Sequence, residues 1–313
     1  MSTDNSDHAK MKIDQTEIED TFAEGFRMQC ARLVITAIDL HWAEIATREM
    51  CGYGTSVLGC DAEAGIESRL LPADTPDGRP GVSVMLFGFS ADSLGQAVAH
   101  RVGQCVMTCP TTAVFNGLSE GESFPLGRTL RYFGDGFQHS KLFGEKRFWR
   151  IPVMDGEFLC ADSVHIGKGV AGGNFLIQSV DQASGLVAAM RAVTAIDALP
   201  GCITPFPGGV VRSGSKVGSK YKKLRASTAD QWCPTLRQRT ESRIVPDANC
   251  VYEIVIDGID VESVENAMSA GIRAAAGSGI PAISAGNYGG KLGKFHFHLH
   301  QILDRPVGDN SKQ

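Results

Sequence analysis

The stretch from Val251 to Gly290, VYEIVIDGIDVESVENAMSAGIRAAAGSGIPAISAGNYGG, predicts a strand, a helix and a second strand in succession. Its first residues, VYEIVI, are mostly β-branched or aromatic with period-two alternation, which is typical of a strand. Asp260 stands where a helix N-cap is expected. Small or apolar residues then recur at helical spacing, at Val264, Met268, Ile272 and Ala275. Gly277 and Pro281 end the helix, and the short apolar run that follows predicts the return strand.

This strand–helix–strand unit occurs four times along the chain. The copy from Val82 to Gly117 aligns with the first so that Gly88 matches Gly258 and Ser90 matches Asp260. A third copy occupies residues 174–209, and a weaker fourth copy occupies residues 31–60. The fourth copy predicts a helix over about residues 41–50 and a return strand at TSVLGC, and the helix caps of these two copies are Asp181 and Asp39.

Two such units in series make the split βαβ, or ferredoxin-like, pattern, which is an antiparallel sheet with helices on one face. Four units therefore predict an α+β protein with a duplicated ferredoxin-like fold. We assign residues 1–150 to an N-terminal lobe and residues 151–313 to a C-terminal lobe with a basic, glycine-rich insertion at 210–250. The alternative is an ordinary α/β chain, in which strand, cap, helix and strand also recur.

The segments between the units carry weaker signals. Ile18 to Met28 predicts a short helix that leads into the first lobe, and Asp155-Gly156 predicts the turn of a hairpin. Leu118 to Gly144 is a long, turn-rich connection, and connections of this length are often functional.

The composition limits the class of protein. The chain has 313 residues, of which 43% are hydrophobic and 21% charged, as in soluble globular proteins. The net charge of −5 argues against nucleic-acid binding through overall attraction. No apolar run approaches the ~18 residues of a membrane span, and MSTDNSDHAKMKID lacks the apolar core of a signal peptide. Nine cysteines in such a chain indicate free thiols in a reducing cytoplasm.

The insertion is the most informative polar segment. Between Asp197 and Asp230 the chain has no acidic residue. The cations in this window are Arg212, Lys216, Lys220, Lys222, Lys223 and Arg225, and glycines lie among them. A basic, glycine-rich loop on an acidic protein indicates an anionic partner. It is not a P-loop, because Ser215 separates Gly214 from the following lysine. The alternative is a solvated loop, or one that pairs with acidic residues of a neighbouring subunit.

Glu253 is the leading candidate for acid–base chemistry. It lies inside VYEIVI, the strand expected at the centre of its lobe. There the carboxyl faces either the wet side of the sheet or a cleft in which burial raises its pKa. A carboxyl with a raised pKa suits general acid–base catalysis at neutral pH. Glu241 and Asp257 are weaker candidates, and Asn287 is interpreted as a turn residue with left-handed backbone.

The potential metal ligands form weak patterns. His296, His298 and His300 alternate in FHFHLH, so they share one face if the segment is a strand. No Cys, Asp or Glu lies beside them at ligand spacing, and a half-exposed strand face explains them equally well. Cys105 and Cys109 lack the second pair that a zinc site needs. We therefore expect no metal.

Several long strings in the chain resemble one family, that of formylmethanofuran:tetrahydromethanopterin formyltransferase. They are RYFGDGF (131–137), KGVAGGNF (168–175), FPGGVVRSGSKVGSKYK (206–222), VYEIVIDG (251–258) and AGNYGGKLGK (285–294). The resemblance extends from about residue 16 to about residue 303. It implies two ferredoxin-like lobes and cytoplasmic one-carbon metabolism. It also implies an enzyme that moves a formyl group between N5 of tetrahydromethanopterin and the primary amine of methanofuran or its bacterial analogue, without metal or prosthetic group.

The resemblance also assigns residues. It implies direct attack of the amine on the formyl carbon in a ternary complex, through a tetrahedral intermediate. Glu253 matches the family's active-site glutamate, with Glu241 as the fallback. The anionic carriers would bind the basic loop through Arg212, Ser213, Lys216, Lys220, Tyr221 and Lys222.

The mild net charge, the nine cysteines and an N-terminal extension of about 15 residues match the bacterial branch of the family. That branch implies a homo-oligomer or a subunit of a formyltransferase/hydrolase complex, with the formyl group passing from the pterin to the furan amine. A catalytically silent subunit that only binds the pterin or serves as a scaffold is the alternative, because a shared fold does not fix function.

Overall fold

The computed structural model describes residues 11–305 of the chain. The predicted N-terminal extension and the end of the polar tail lie largely outside these residues. The strands are β1 Lys12–Ile13, β2 Thr16–Ile18, β3 Phe22–Thr36, β4 Glu63–Leu70, β5 Gly81–Gly88, β6 Ala113–Asn116, β7 Glu122–Phe124, β8 His139–Phe143, β9 Lys146–Val153, β10 Gly156–Ala161, β11 Val164–Ser179, β12 Cys202–Ile203, β13 Ser215–Val217, β14 Ala226–Thr228, β15 Cys250–Gly258, β16 Ala282–Ser284 and β17 Phe295–His298. The helices are α1 Leu40–Cys51, α2 Ala91–Arg101, α3 Leu126–Leu130, α4 Gln182–Asp197, α5 Val261–Ala275 and α6 Leu299–Asp304.

The fold is α+β, with a mixed sheet that joins all the described strands except the β13–β14 hairpin. In one part of the sheet the order is β6-β3-β5-β4, and every pair in it is antiparallel. In another part the order is β16-β11-β15-β12, again antiparallel throughout. α1 and α2 pack on the first group, and α4 and α5 pack on the second. The β9–β10 hairpin predicted at Asp155-Gly156 is confirmed.

The four predicted N-caps are confirmed. The side chain of each capping residue accepts a hydrogen bond from a backbone N–H in the first turn of its helix, over 2.7 to 3.2 Å. The capping residues are Asp39, Ser90, Asp181 and Asp260. Such a cap satisfies one of the backbone donors that a helix start leaves without a partner.

Two local predictions are wrong. Ile18 to Met28 is not a helix, because β2 ends at Ile18 and β3 begins at Phe22. There Ala23, Gly25 and their neighbours pair with β17 instead of following a helical repeat. TSVLGC is not the return strand of the first unit either, since its backbone closes local turns from Ser56 to Gly59 and Cys60. The return strand of this unit is β4, which begins only at Glu63.

The two groups of strands are joined through their longest members. β3 and β11 pair in antiparallel register from Phe26–Ala171 to Ala31–Ile166. A small apolar cluster contributed by both groups fills the junction, with Cys30, Phe87, Ala171 and Ile203 among its members. β1 and β2 lie at the start of the described chain and pair with each other. β2 also pairs with β16, which lies near the C-terminus. Within residues 11–305, no helix is long and apolar enough to span a bilayer.

Candidate active site

Glu253 lies on the face of β15 that is turned away from the helices. Its strand neighbours Ile254 and Ile256 are fully buried in the core beneath α4 and α5. Because side chains alternate along a strand, Glu253 faces the opposite side, towards the insertion. Val211 of the insertion exchanges two backbone hydrogen bonds with Glu253, of 2.8 and 2.9 Å, and so holds the insertion against the edge of the site.

A cleft of about 110 Å³ opens at this point, and Glu253 is part of its lining. One wall comes from the insertion, through Arg212, Gly214 and Lys216. The other wall is the segment of Gly286, Asn287 and Tyr288, and Asn174 of β11 lies between the walls. The cleft therefore joins the central strands to the two glycine-rich loops of the C-terminal half.

The carboxyl of Glu253 has few polar neighbours. Within residues 11–305, no group donates a hydrogen bond to it, and the insertion comes close at Gly214, where a Cβ would lie 3.4 Å from Oε2. Burial of the carboxyl raises the pKa of Glu253 from 4.5 to about 7. Glu253 nevertheless keeps part of its surface open to the cleft. It is therefore a carboxyl that can both donate and accept a proton near neutral pH.

The insertion is folded onto the sheet by a small apolar cluster. Trp232, Ala229 and Ile244 pack against Leu176 of β11, and Trp232 is only 7% exposed. The backbone N–H of Val245 also donates a hydrogen bond of 2.8 Å to Gln178 Oε1. These contacts fix the base of the insertion, while the β13–β14 hairpin extends from it into solvent.

The insertion gives the cleft a basic edge. Lys216 donates a hydrogen bond of 2.8 Å from Nζ to Asp230 Oδ1, and this contact lowers the pKa of Asp230. Arg212 lies on the same wall and is exposed, and among the described residues it forms no ion pair. A guanidinium without a carboxylate partner is free to bind an anionic group of a ligand.

The opposite wall is held in place by Asn174. Its Oδ1 accepts a hydrogen bond of 2.7 Å from Gly286 N–H, and its Nδ2 donates one of 3.2 Å to Gly286 O. Tyr288 follows two residues later and is 37% exposed. Its pKa is raised by burial and then by the negative charges of Glu253 and Glu24, so its phenol stays protonated and can act as a hydrogen-bond donor.

Two family models match the chain. The model described as formylmethanofuran–tetrahydromethanopterin formyltransferase matches residues 11–153. The model described as the proximal lobe of the same enzyme matches residues 156–302. The chain belongs to this family.

Relatives within the formyltransferase family are similar over nearly the whole chain. The formylmethanofuran–tetrahydromethanopterin formyltransferase of Methylococcus capsulatus is 54% identical over 297 residues, which are 94% of this chain and 100% of the relative. One subunit of the formyltransferase/hydrolase complex of Methylorubrum extorquens is 48% identical over 301 residues, covering 93% and 97% of the two chains. The crystal structure of that complex with methylofuran matches with a TM-score of 0.92 and 47% identity, covering 95% of this chain and 100% of the matched chain.

In this chain, the residues predicted to bind substrate divide into two groups. Arg212 and Lys216 line the cleft beside Glu253, and Ser213 lies between Arg212 and Gly214 on the same stretch of backbone. The others lie beyond the end of β13 and are exposed, away from the cleft lining. They are Lys220, Tyr221 and Lys222.

The other two candidate carboxyls are not at the cleft. Glu241 is exposed on the insertion, and Asp257 is fully buried. Burial, and then the charge of the neighbouring Glu63, raises the pKa of Asp257 well above its ordinary value. Asp257 shares its face of β15 with Glu253, but it contacts the backbone N–H of Gly172, at 3.1 Å, instead of the cleft.

The three histidines do not form one row. His296 and His298 lie on β17 and both pack against the Phe22 ring at a tilt, whereas His300 belongs to α6 and its Nε2 contacts Ile18 O at 2.8 Å. Among residues 11–305, no group of three or more potential metal ligands is assembled. Asn287 is a turn residue, since its Oδ1 accepts from Gly289 N–H, but the prediction of left-handed backbone is wrong.

Sequence reasoning missed Tyr288 as a site residue. A tyrosine between an asparagine and two glycines carries no pattern that predicts a role. The only available signal was its place within AGNYGGKLGK, one of the strings that resemble the family.

Proposed function

We propose that this protein transfers a formyl group between N5 of tetrahydromethanopterin and the primary amine of a methanofuran-type carrier. The observation that carries the proposal is the Glu253 carboxyl, whose pKa is raised to about 7 at the base of a cleft with a basic edge. The relatives named above, 48 to 54% identical, bear the names of enzymes with this activity or of the corresponding complex subunit.

The chemistry needs few groups from the protein. The amine lone pair forms a bond to the formyl carbon while the C=O π electrons move to oxygen. The neutral Glu253 carboxyl donates a hydrogen bond to this oxyanion, a kind of stabilisation that is usually a large term in acyl transfer. The C–N5 bond then breaks as C=O re-forms. One proton passes from the attacking nitrogen to N5 with the carboxyl as its carrier, so Glu253 ends in its starting state.

Positioning supplies much of the remaining rate. Holding two carriers at attacking distance can contribute roughly 7–11 kcal/mol in favourable cases. The acidic parts of the carriers would bind the basic insertion, with Arg212, Ser213 and Lys216 at the cleft and Lys220, Tyr221 and Lys222 further out. No step requires a metal or prosthetic group, and we propose that the protein uses neither.

The two groups of strands are proposed to be ferredoxin-like lobes that arose by duplication. The strand order in each group, β6-β3-β5-β4 and β16-β11-β15-β12, supports this, because it follows the split βαβ arrangement. We divide the chain near residues 150/151, which fall within β9, close to the gap between the matched regions at 153 and 156. The insertion at 210–250 then belongs to the C-terminal lobe.

The protein is proposed to act in the cytoplasm as a homo-oligomer or as a subunit of a larger assembly. The relative in Methylorubrum extorquens is a subunit of a formyltransferase/hydrolase complex, which supports this assignment. In such a complex the formyl group would pass from the pterin to the furan amine, where a hydrolase can release it.

The test is a direct assay of the purified protein with formyl-tetrahydromethanopterin and a furan amine acceptor, without added metal. We expect transfer, and we expect Glu253→Gln to lower its rate about 10²–10⁴-fold, as for loss of a general acid–base group. Glu241→Gln removes an exposed carboxylate of the insertion, away from the cleft lining; it is the control and should keep the wild-type rate. No transfer, either alone or with co-purifying subunits, would instead favour a silent scaffold.

A further inference from the structure

One buried carboxylate accepts four hydrogen bonds from the loop that forms one wall of the cleft. Glu24 of β3 is 1% exposed. Its Oε1 accepts hydrogen bonds of 2.6 Å from the backbone N–H groups of both Tyr288 and Gly290. Its Oε2 accepts bonds of 3.0 and 2.7 Å from those of Leu292 and Gly293. Four donors of one loop therefore converge on one side chain.

The loop has no regular structure of its own to fix it. Residues 285–294 lie between β16 and β17, and Gly289 and Gly290 both have left-handed backbone, with φ of 72° and 73°. At Gly293 a Cβ would lie 2.7 Å from Glu24 Cβ, so the loop packs directly against the strand. The turn thus depends on glycine and on the carboxylate for its shape.

The charge of Glu24 is favoured at this position. Burial by itself would raise the pKa of Glu24, but the four backbone N–H groups outweigh burial and lower it. Within residues 11–305, no arginine or lysine forms an ion pair with Glu24, and the described donors to its carboxylate all come from the loop. The carboxylate therefore serves the loop and no other described element.

We propose that Glu24 is a positioning residue for formyl transfer, which fixes residues 286–293 so that Tyr288 lies in the cleft opposite the insertion and beside Glu253. The proposal rests on the proposed function. Glu24 does not line the cleft itself, whereas Asn287 and Tyr288 do. In this arrangement Tyr288 and Glu253 line the same cleft, and the phenol of Tyr288 is available to donate a hydrogen bond to the formyl oxygen.

The first experiment compares Glu24→Gln with the wild type. The amide keeps the shape of the side chain, but it replaces one acceptor oxygen by an NH₂ group that faces backbone donors. We expect amide hydrogen exchange of the peptide covering 285–294 to become faster, while exchange in β15 stays slow. We expect kcat to fall about 10–100-fold, the scale of a small misplacement of reacting groups, with the pH dependence set by Glu253 unchanged.

Two further variants separate positioning from general destabilisation. Glu67→Gln is the matched control, because Glu67 is also buried and accepts bonds from Arg32, Ser83 and the Gly201 backbone, and it is not part of the cleft lining. It should lower the unfolding midpoint without changing exchange at 285–294. Glu24→Asp keeps the charge on a shorter stem and should recover part of the lost kcat and part of the protection.

A double variant tests the path through Tyr288. If Glu24 acts by placing Tyr288, then Glu24→Gln should cost little further kcat in a Tyr288→Ala background. Fully additive losses, or wild-type exchange at 285–294 in Glu24→Gln, would overturn the proposal. Absence of transfer in the wild type would instead overturn the proposed function. The exchange measurement at 285–294 would still report on the loop in that case.

Discussion

At the scale of single residues, the candidate site is built around a carboxyl that the fold shields from most of the surrounding water. Glu253 is flanked by strand residues in the core and is partly covered by the insertion, and no described donor compensates for the hydration that it loses. Such a group favours its neutral form, so it costs stability whenever it is ionised. Active sites commonly accept this cost because the perturbed group carries the chemistry.

This cost has a definite pH dependence. Because the pKa of Glu253 is raised on folding, the folded state holds the proton more tightly than the unfolded state does. The wild type should therefore lose stability as the pH rises from about 4.5 to about 7, with the whole cost present above that range. The shift of the pKa from 4.5 to about 7 limits this loss in the free energy of unfolding to ~3 kcal/mol.

We expect Glu253→Gln to remove this dependence. The free energy of unfolding of the variant, measured relative to that of the wild type, should increase by up to ~3 kcal/mol as the pH is raised from about 5 to about 8. Urea denaturation at the two pH values measures the difference. Glu241→Gln is the control and should leave the difference between the two pH values unaltered. Equal stabilities of wild type and Glu253→Gln at both pH values would mean that the carboxyl is well hydrated.

The sequence reveals some of the residues at the candidate site but not others. Glu253 can be picked out as a candidate, because a carboxylate within a β-branched strand departs from the apolar pattern around it, and it does line the cleft. Glu24 cannot, since its significance comes from a loop more than 260 residues away in the chain. The sequence predicts a helix around Glu24, because the residues there alternate too weakly to reveal the pairing with β17. Long-range hydrogen bonds leave no local signature.

At the scale of elements, the four capped helices are the most predictable part of the fold. Their caps and periodicity are local, so the sequence carries the signal at the right spacing. The close approach of α5 to the sheet is harder to predict from the sequence. Two glycines allow it, because a Cβ at Gly173 would lie 2.3 Å from the Val264 side chain and a Cβ at Gly258 would lie 2.8 Å from it. The return strand β4 lies later than its predicted position because residues 55–60 close turns that depend on contacts with Tyr53.

The basic hairpin leads to a prediction about ionic strength. Lys220→Ala with Lys222→Ala should raise KM for the anionic carriers about 2–10-fold at low salt, because exposed charges attract at modest strength. The effect should largely disappear at about 0.5 M salt, where screening is strong. Steady-state kinetics at two salt concentrations measures it. The matched control is Lys141→Ala with Lys146→Ala, which removes two exposed lysines from the β8–β9 hairpin. An equal increase in KM in the control variant would mean that the lysines of the insertion have no specific role in binding the carriers.

At the scale of the whole molecule, the two groups of strands form one continuous structure. β3 pairs with β11 across the junction, and Arg32 in β3 contacts Glu67 in β4 at 2.7 Å, while Glu67 also accepts a hydrogen bond from Gly201 of the C-terminal half. The repeated units predict two separate lobes, but the sequence pattern gives no indication of how far they share one sheet. Strand pairing between distant segments is the property that local periodicity does not encode.

The shared sheet predicts a single unfolding transition. We expect calorimetry to give a van't Hoff enthalpy equal to the calorimetric enthalpy, as for one cooperative unit. Gly169→Ala should lower the midpoint without splitting the transition, because a Cβ there would lie 2.8 Å from the Phe87 ring and 2.9 Å from Cys30 in the junction. Two resolved transitions in either protein would show that the halves unfold independently.

The pairing of β2 with β16, and of β3 with β17, also has a consequence during synthesis. A chain leaves the ribosome from its N-terminus, so Thr16 to Gly25 emerges early. Its partners, Ala282–Ser284 and Phe295–His298, emerge among the last segments. For most of translation this early segment therefore presents unpaired strand edges, which invite association with other chains. A chain that ended shortly before residue 280 would contain α1, α2, α4 and α5. It would lack β16 and β17, so the strand edges near its N-terminus would stay unpaired.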